Sequence, residues 1–247
     1  MRTTKIEWTE RTWNPITGCS KISEGCEHCY AERMAKRLAG RAGYRRGDPF
    51  GLTIHLNKME EPFKWRKPCM VFVCSMGDIF HEGVVDAFRD VVFNQMEVCP
   101  EHTFQVLTKR PQNALRYLGK PRHLPALKNL WLGVTAENQA RADERIPILL
   151  QIPAAVRFVS VEPMLGPVNM AKVPGLNKCG SAGQDLVKNF WVICGPETGP
   201  GARKMEIQWA RGLRDQCEVA GVPFFYKRGR LDGKEYHNYP VAQWAAI

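Results

Sequence analysis

Nowhere in the 247 residues do roughly 18 apolar side chains follow one another, the length a helix needs to cross a bilayer, so the sequence offers no membrane span. The chain opens MRTTKIEWTE, polar from the start and without the apolar core of a signal peptide, which gives the expectation of a cytoplasmic protein. No internal repeat or low-complexity segment is present. Acidic residues are scarce beside basic ones: 25 Asp and Glu against 35 Lys and Arg leave a formal charge of +10. A field of that sign favours polyanionic partners, of which nucleic acid is the commonest. No second C-x2-C pair accompanies the one at Cys26 and Cys29, so the two-pair pattern usual for structural zinc is missing.

With 44 % hydrophobic residues, a chain of this length can bury one sizeable core, and a single domain over 1–247 is expected. Short apolar, β-branched or aromatic runs at 71–74, 103–107, 130–134, 157–161, 190–194 and 222–226 read as buried strands. Helical periodicity is clearest at 84–98, 138–150 and 206–220, the last with Gly221 placed as its stop. Alternation of the two predicts a parallel α/β fold, and near-continuous apolarity within each strand fits a sheet covered on both faces. Residues 166–188, rich in Gly, Pro and Asn, are expected to form a loop or lid inserted into that domain.

Five of the six strand runs end in polar residues. These are Ser75, Gly77 and Asp78; Thr108, Lys109 and Arg110; Thr135, Glu137 and Asn138; Glu162; and Glu197 with Thr198. Ligand sites of α/β folds gather at the carboxyl ends of strands, so a sheet closing toward a barrel would bring these endings round one mouth. Taken singly, each could equally shape a turn, cap a helix or serve a salt bridge.

Nine cysteines in a reducing compartment point to metal or catalytic use where they cluster. Three do: Cys19, Cys26 and Cys29, spaced C-x6-C-x2-C in a loop with Gly18 and Gly25, ahead of helix-forming residues 31–38. Thiolates are the ligands iron–sulfur clusters need, and three of them leave one iron of a cubane open to a substrate or cofactor. Zinc completed by His28 or a distant histidine, and three simply buried thiols, are the other readings of these residues.

A three-cysteine loop ahead of a series of β/α units resembles the radical S-adenosylmethionine superfamily, whose usual spacing is C-x3-C-x2-C with an aromatic residue before the last cysteine, the place His28 takes here. The stretches TWNPITGCSKISEGCEHCYAERMA, VFVCSMGDIFHE, FQVLTKRP, LWLGVTAEN, RFVSVEPMLGPV, WVICGPETGPGARKM and AGVPFFYKRG resemble the phage Gp37/Gp68 family, also called DUF5131, with spore photoproduct lyase-like enzymes as nearest functional relatives. The resemblance implies a partial (β/α) TIM-like barrel, a 4Fe-4S cluster on Cys19, Cys26 and Cys29, S-adenosylmethionine as cosubstrate, and a one-electron donor such as flavodoxin or ferredoxin. It also implies that His28, Ser75, Gly77, Asp78, Thr135, Glu137, Asn138, Glu162 and Glu197 surround the cofactor. Pro196 stands where a Gly-Gly-Glu-Ser-Gly run is expected and removes a backbone N–H.

Cys74 and Cys194, at strand ends, are candidate hydrogen-atom donors to a substrate radical, or small apolar filler. Six Lys or Arg and no acid lie between Glu101 and Glu137, and further basic groups occur at Arg41, Arg45 and Arg46 and at Lys227, Arg228 and Arg230. Lys109, Arg110 and Arg203 are the candidate substrate-binding cations, with Tyr44, Trp65, Tyr226 or Tyr236 available to stack bases. The substrate expected is therefore a nucleobase in DNA or RNA, repaired or modified by hydrogen abstraction. A radical enzyme acting on a peptide or small metabolite and a zinc-stabilised nucleic-acid-binding module are the alternatives.

Overall fold

The computed structural model describes residues 4–121, 127–176 and 189–240. Its strands are β1 (Arg11–Trp13), β2 (Ile16–Thr17), β3 (Thr53–Ile54), β4 (Met70–Val73), β5 (Thr103–Thr108), β6 (Leu130–Thr135), β7 (Val156–Val161), β8 (Phe190–Cys194) and β9 (Phe224–Tyr226). The α-helices among the described residues are α1 (Tyr30–Arg37), α2 (Asp86–Glu97), α3 (Pro111–Leu118), α4 (Gln139–Leu149) and α5 (Ile207–Ala220). Seven strands form one sheet in the order β1-β4-β5-β6-β7-β8-β9, every neighbouring pair parallel, while β2 and β3 make a separate antiparallel pair. Spatial order follows chain order, as in a (β/α) barrel, and β1 and β9 remain at the two edges, so the sheet curls into a half-barrel. The expected α/β class and strand runs are thus present. Three strands that the apolar pattern did not signal, β1, β2 and β3, are only two or three residues long.

Strand parity divides the core in two. Val71, Val73, Phe104, Val106, Leu132, Val134, Val159, Val161 and Val192 face the helices in the larger cluster. The alternate residues Phe72, Trp131, Phe158, Trp191, Ile193 and Phe225 fill the concave side together with Trp8. Trp191 sits at its centre, with ring contacts to Trp8, Trp131, Phe158, Phe225 and Tyr239. This aromatic floor occupies the lower part of the barrel and leaves only its upper rim for polar groups. Gly133 makes room for it, because a Cβ there would run into the Phe158 ring. Gly133→Ala is accordingly expected to cost about 1–3 kcal/mol by overpacking, measurable as a lower urea midpoint at unchanged slope.

The expected loop at 166–188 is described only as far as 176. That part is not loose: the 3-10 turn Met170–Lys172 is tied to α4 by Gln139 and Asn169 and to α5 by Gln216, which also binds the Val168 carbonyl. Residues 177–188 lie outside the described residues. No helix among the described residues is long and apolar enough to cross a membrane.

Candidate functional site

Because the strands are parallel, the five polar endings share one rim, and the cysteine loop is fastened over it from several sides. From the β5 end, Arg110 donates through Nη1 to Cys19 Sγ at 3.3 Å and through Nη2 to the Ser20 carbonyl and hydroxyl. His81, following β4, meets the same hydroxyl at 2.9 Å. From the β6 end, Glu137 accepts from Ser23 Oγ at 2.6 Å, while Asn138 donates to Glu24 and Arg141 grips the same carboxylate. From the β8 end, Glu197 meets His28 Nδ1 at 3.0 Å, and Arg203 joins Glu197 to Glu27 and to the Glu24 carbonyl. Gly25 permits the closest of these approaches, since any Cβ there would strike Glu137.

The three thiols are half-buried and in no disulfide. Burial, reinforced by Asp78, pushes the Cys19 thiol up to about 11 against the pull of Arg110. Cys26 behaves oppositely. Burial disfavours its anion, but the Lys109 ammonium and hydrogen bonds at Ile22 and Ser23 outweigh it, so the thiol lies below its ordinary value. Among the described residues no three Cys, His, Asp or Glu converge as ligands of a single ion. A cubane does not require that convergence, because each thiolate takes a separate corner iron. Three disulfide-free thiols on one clamped loop, with the cations Lys109 and Arg110 beside them, match such a cluster in donor chemistry.

Several residues assigned to the cofactor serve the framework as well. Asp78 is buried, and its carboxylate accepts from the Phe80 and Lys109 amides and the Thr108 hydroxyl, with Arg110 at 3.4 Å. Asn138 caps α4 by accepting from the Arg141 amide. Glu137 is fully buried and paired with Arg145 at 3.0 Å. Ser75 accepts, through its carbonyl, a hydrogen bond from the Tyr30 hydroxyl, and Gly77 bridges Gly18. Parity turns Thr135 and Ser160 toward the concave side, where they stand opposite one another in register. Glu162 lies at the same rim in an ion pair with Lys227, a residue the sequence offered only as part of a basic group.

Other assignments change. Cys74 and Cys194 belong to the sheet-to-helix core rather than the mouth, with Cys194 Sγ against Met164 at 3.6 Å. Burial pushes both thiols far up, and neither is presented to a substrate as a hydrogen donor would be. Arg110 and Arg203 face inward into carboxylates and the cysteine loop, so they act as clamps in place of open phosphate contacts. Tyr44, Tyr226 and Tyr236 are buried and offer no stacking face. The clamp residues Ser23, Glu24, Arg141 and Arg145 went unnoticed in the sequence: Ser23 and Glu24 meet Glu137 and Arg141 more than a hundred positions away, and Arg145, though only eight residues from Glu137, reads as one more cation on a helix.

A family model described as "Protein of unknown function (DUF5131)" matches residues 3–239. The chain belongs to the DUF5131 family. No curated protein and no solved structure matches it. For this DUF5131 protein the electrostatics of the clamp can be tested directly. Hydrogen bonds from Arg203, with help from the Arg203 amide and His28, hold Glu197 down at about 2 against the opposing effect of burial. A depressed carboxylate adds stability above its unfolded pKa of about 4.3 and loses it as pH falls through the folded value. Unfolding free energy should therefore drop between about pH 4.5 and 2, and Glu197→Gln should flatten that limb in urea titrations across the range.

Proposed function

We propose that this protein is a radical S-adenosylmethionine enzyme that acts on a nucleobase in DNA or RNA. The observation that carries the reading is the loop of Cys19, Cys26 and Cys29, free of disulfides and clamped across the carboxyl-end rim of a parallel half-barrel. A 4Fe-4S cluster on these thiols would supply one electron to S-adenosylmethionine, giving methionine and a 5′-deoxyadenosyl radical that takes hydrogen from the substrate. The chain's own residues bind, orient and exclude water. Arg110 fixes the Cys19 sulfur, and Lys109 sets a positive charge beside Cys26. Thr135 and Ser160 are buried beneath the rim on the concave side, and the Glu162 and Lys227 pair offers both charges at the rim, suited to an amino acid carboxylate and ammonium. The aromatic floor closes the barrel below, so whatever enters the mouth leaves water behind it. The formal charge of +10 favours a polyanionic substrate.

The test is anaerobic reconstitution with iron and sulfide, then addition of S-adenosylmethionine and dithionite. Formation of 5′-deoxyadenosine is the expected result. A colourless, zinc-loaded protein that forms none would overturn the reading in favour of a binding module. Turnover that ignores nucleic acid but responds to a peptide or small metabolite would move the substrate class.

A further inference from the structure

Between α3 and α4, next to the tip of the cysteine loop at Ile22, lies a cleft of about 230 Å³ whose lining includes Lys109, Arg110, Gln112, Asn113 and Arg145. Three features mark it as a seat for an anion. The first turn of α3 carries no side-chain cap, and Gln112 and Asn113 of that turn line the cleft with the positive end of the helix dipole behind them. Arg145 is 1 % exposed, and its Nε has no hydrogen-bond partner although Nη1 binds both Thr135 and Glu137. Lys109, half-buried at the end of β5, forms no ion pair among the described residues, unlike Arg110 beside it.

Two carboxylates, Glu82 and Glu144, also line the cleft, and both are engaged. Glu82 holds Arg110 and Asn113, while Glu144 holds Arg141 and stays 3.9 Å from Arg145 Nε. Arg110 is met by Asp78 and Glu82, Arg145 by Glu137 and Glu144 by Arg141, so Lys109 is the lining cation left without an ion pair among the described residues.

We propose that this cleft binds a phosphate group, and that it holds a phosphodiester of the nucleic-acid substrate beside the cysteine loop. The first half stands on the geometry alone. The second rests on the reading under Proposed function. Lys109 supplies the charge, the α3 amides the directed donors, and Arg145 Nε a further donor when Glu144 turns outward. Because Lys109 also neighbours Cys26, a phosphate here lies close to the loop that would carry the cluster.

The experiment is fluorescence anisotropy with a labelled single-stranded oligonucleotide of mixed sequence and the full-length protein, with and without reconstituted cluster. Lys109→Ala is expected to weaken binding about tenfold and to lower the slope of log K against log salt by about one. Gln112→Glu, an exposed position where a new charge leaves the fold intact, should weaken binding by a similar factor, whereas Lys64→Ala should not. Wild-type affinity in both cleft variants, or an equal loss in Lys64→Ala, would sink the proposal. Inorganic phosphate and a nucleoside monophosphate serve as competitors. If either binds in a Lys109-dependent way while the oligonucleotide does not, the site takes a small phosphate and the polymer source is wrong. Binding needs no cluster and 5′-deoxyadenosine formation needs no oligonucleotide, so the two readings fail separately. Absent binding with 5′-deoxyadenosine intact removes this proposal and the nucleic-acid substrate while the radical chemistry stands, and the reverse removes the radical chemistry alone.

Discussion

Replacing Cys26 and Cys29 together by alanine is expected to reduce iron and sulfide taken up on anaerobic reconstitution to background, while the protein stays folded. The two sulfurs are half-buried at the rim, outside the large core clusters, so their removal leaves no deep cavity and costs about 1 kcal/mol. Their loss leaves Cys19 as the single thiol on the loop, too few for a cluster. Iron and acid-labile sulfide analysis, with far-UV circular dichroism as the control for folding, reads the result. Cys217→Ala, on the buried face of α5, supplies the contrast: it should lose stability and keep iron. Iron retained by the double variant would mean that other groups bind it, and the loop would then be a structural element only.

How far the sequence could have led depended on the length over which a signal extends. The strands β4 to β8 are four to six residues of nearly unbroken apolar character, and they were legible because both faces are buried, one by helices and one by the aromatic floor. Strand β1 is Arg-Thr-Trp and carries no such run; it pairs only because Trp13 enters the core and its backbone meets β4. Helix α3 was hidden behind Lys109 and Arg110, which read as a strand ending and substrate-binding cations although Pro111 opens the helix. The gathering of polar endings on one rim was also legible, since parallel strands allow no other arrangement. Parity was the overlooked clue for Cys194: Trp191 and Ile193 share the concave face, so Cys194 must point to the helices. The clamps were legible only in part. Arg110 looks like an exposed phosphate hand until the fold delivers Asp78 and Glu82 to it from about thirty residues away, whereas Glu197, only six residues before Arg203, was a partner the local sequence did offer.

Glu137→Ala should be the most damaging single change at the site. The carboxylate is fully buried and joins two structures: the Arg145 guanidinium of α4, and Ser23 of the cysteine loop. Truncation leaves Arg145 as a buried charge with the Thr135 carbonyl and a distant Glu144 as its remaining partners, a situation that costs about 3–5 kcal/mol. The same change frees the Ser23 hydroxyl, so limited proteolysis should cut within residues 18–29 well before the remainder of the domain. Glu137→Gln keeps the shape and one acceptor and should recover part of the loss. Removing both charges, in Glu137→Leu with Arg145→Met, should cost less than Glu137→Ala alone, because no uncompensated ion then remains in the interior. A cofactor-binding role for Glu137 gives a different pattern: near-native stability in Glu137→Ala with weakened S-adenosylmethionine binding to the reconstituted protein. The double variant separates the two, since a charge kept for the cofactor is not rescued by deleting Arg145, whereas a charge kept for the fold is.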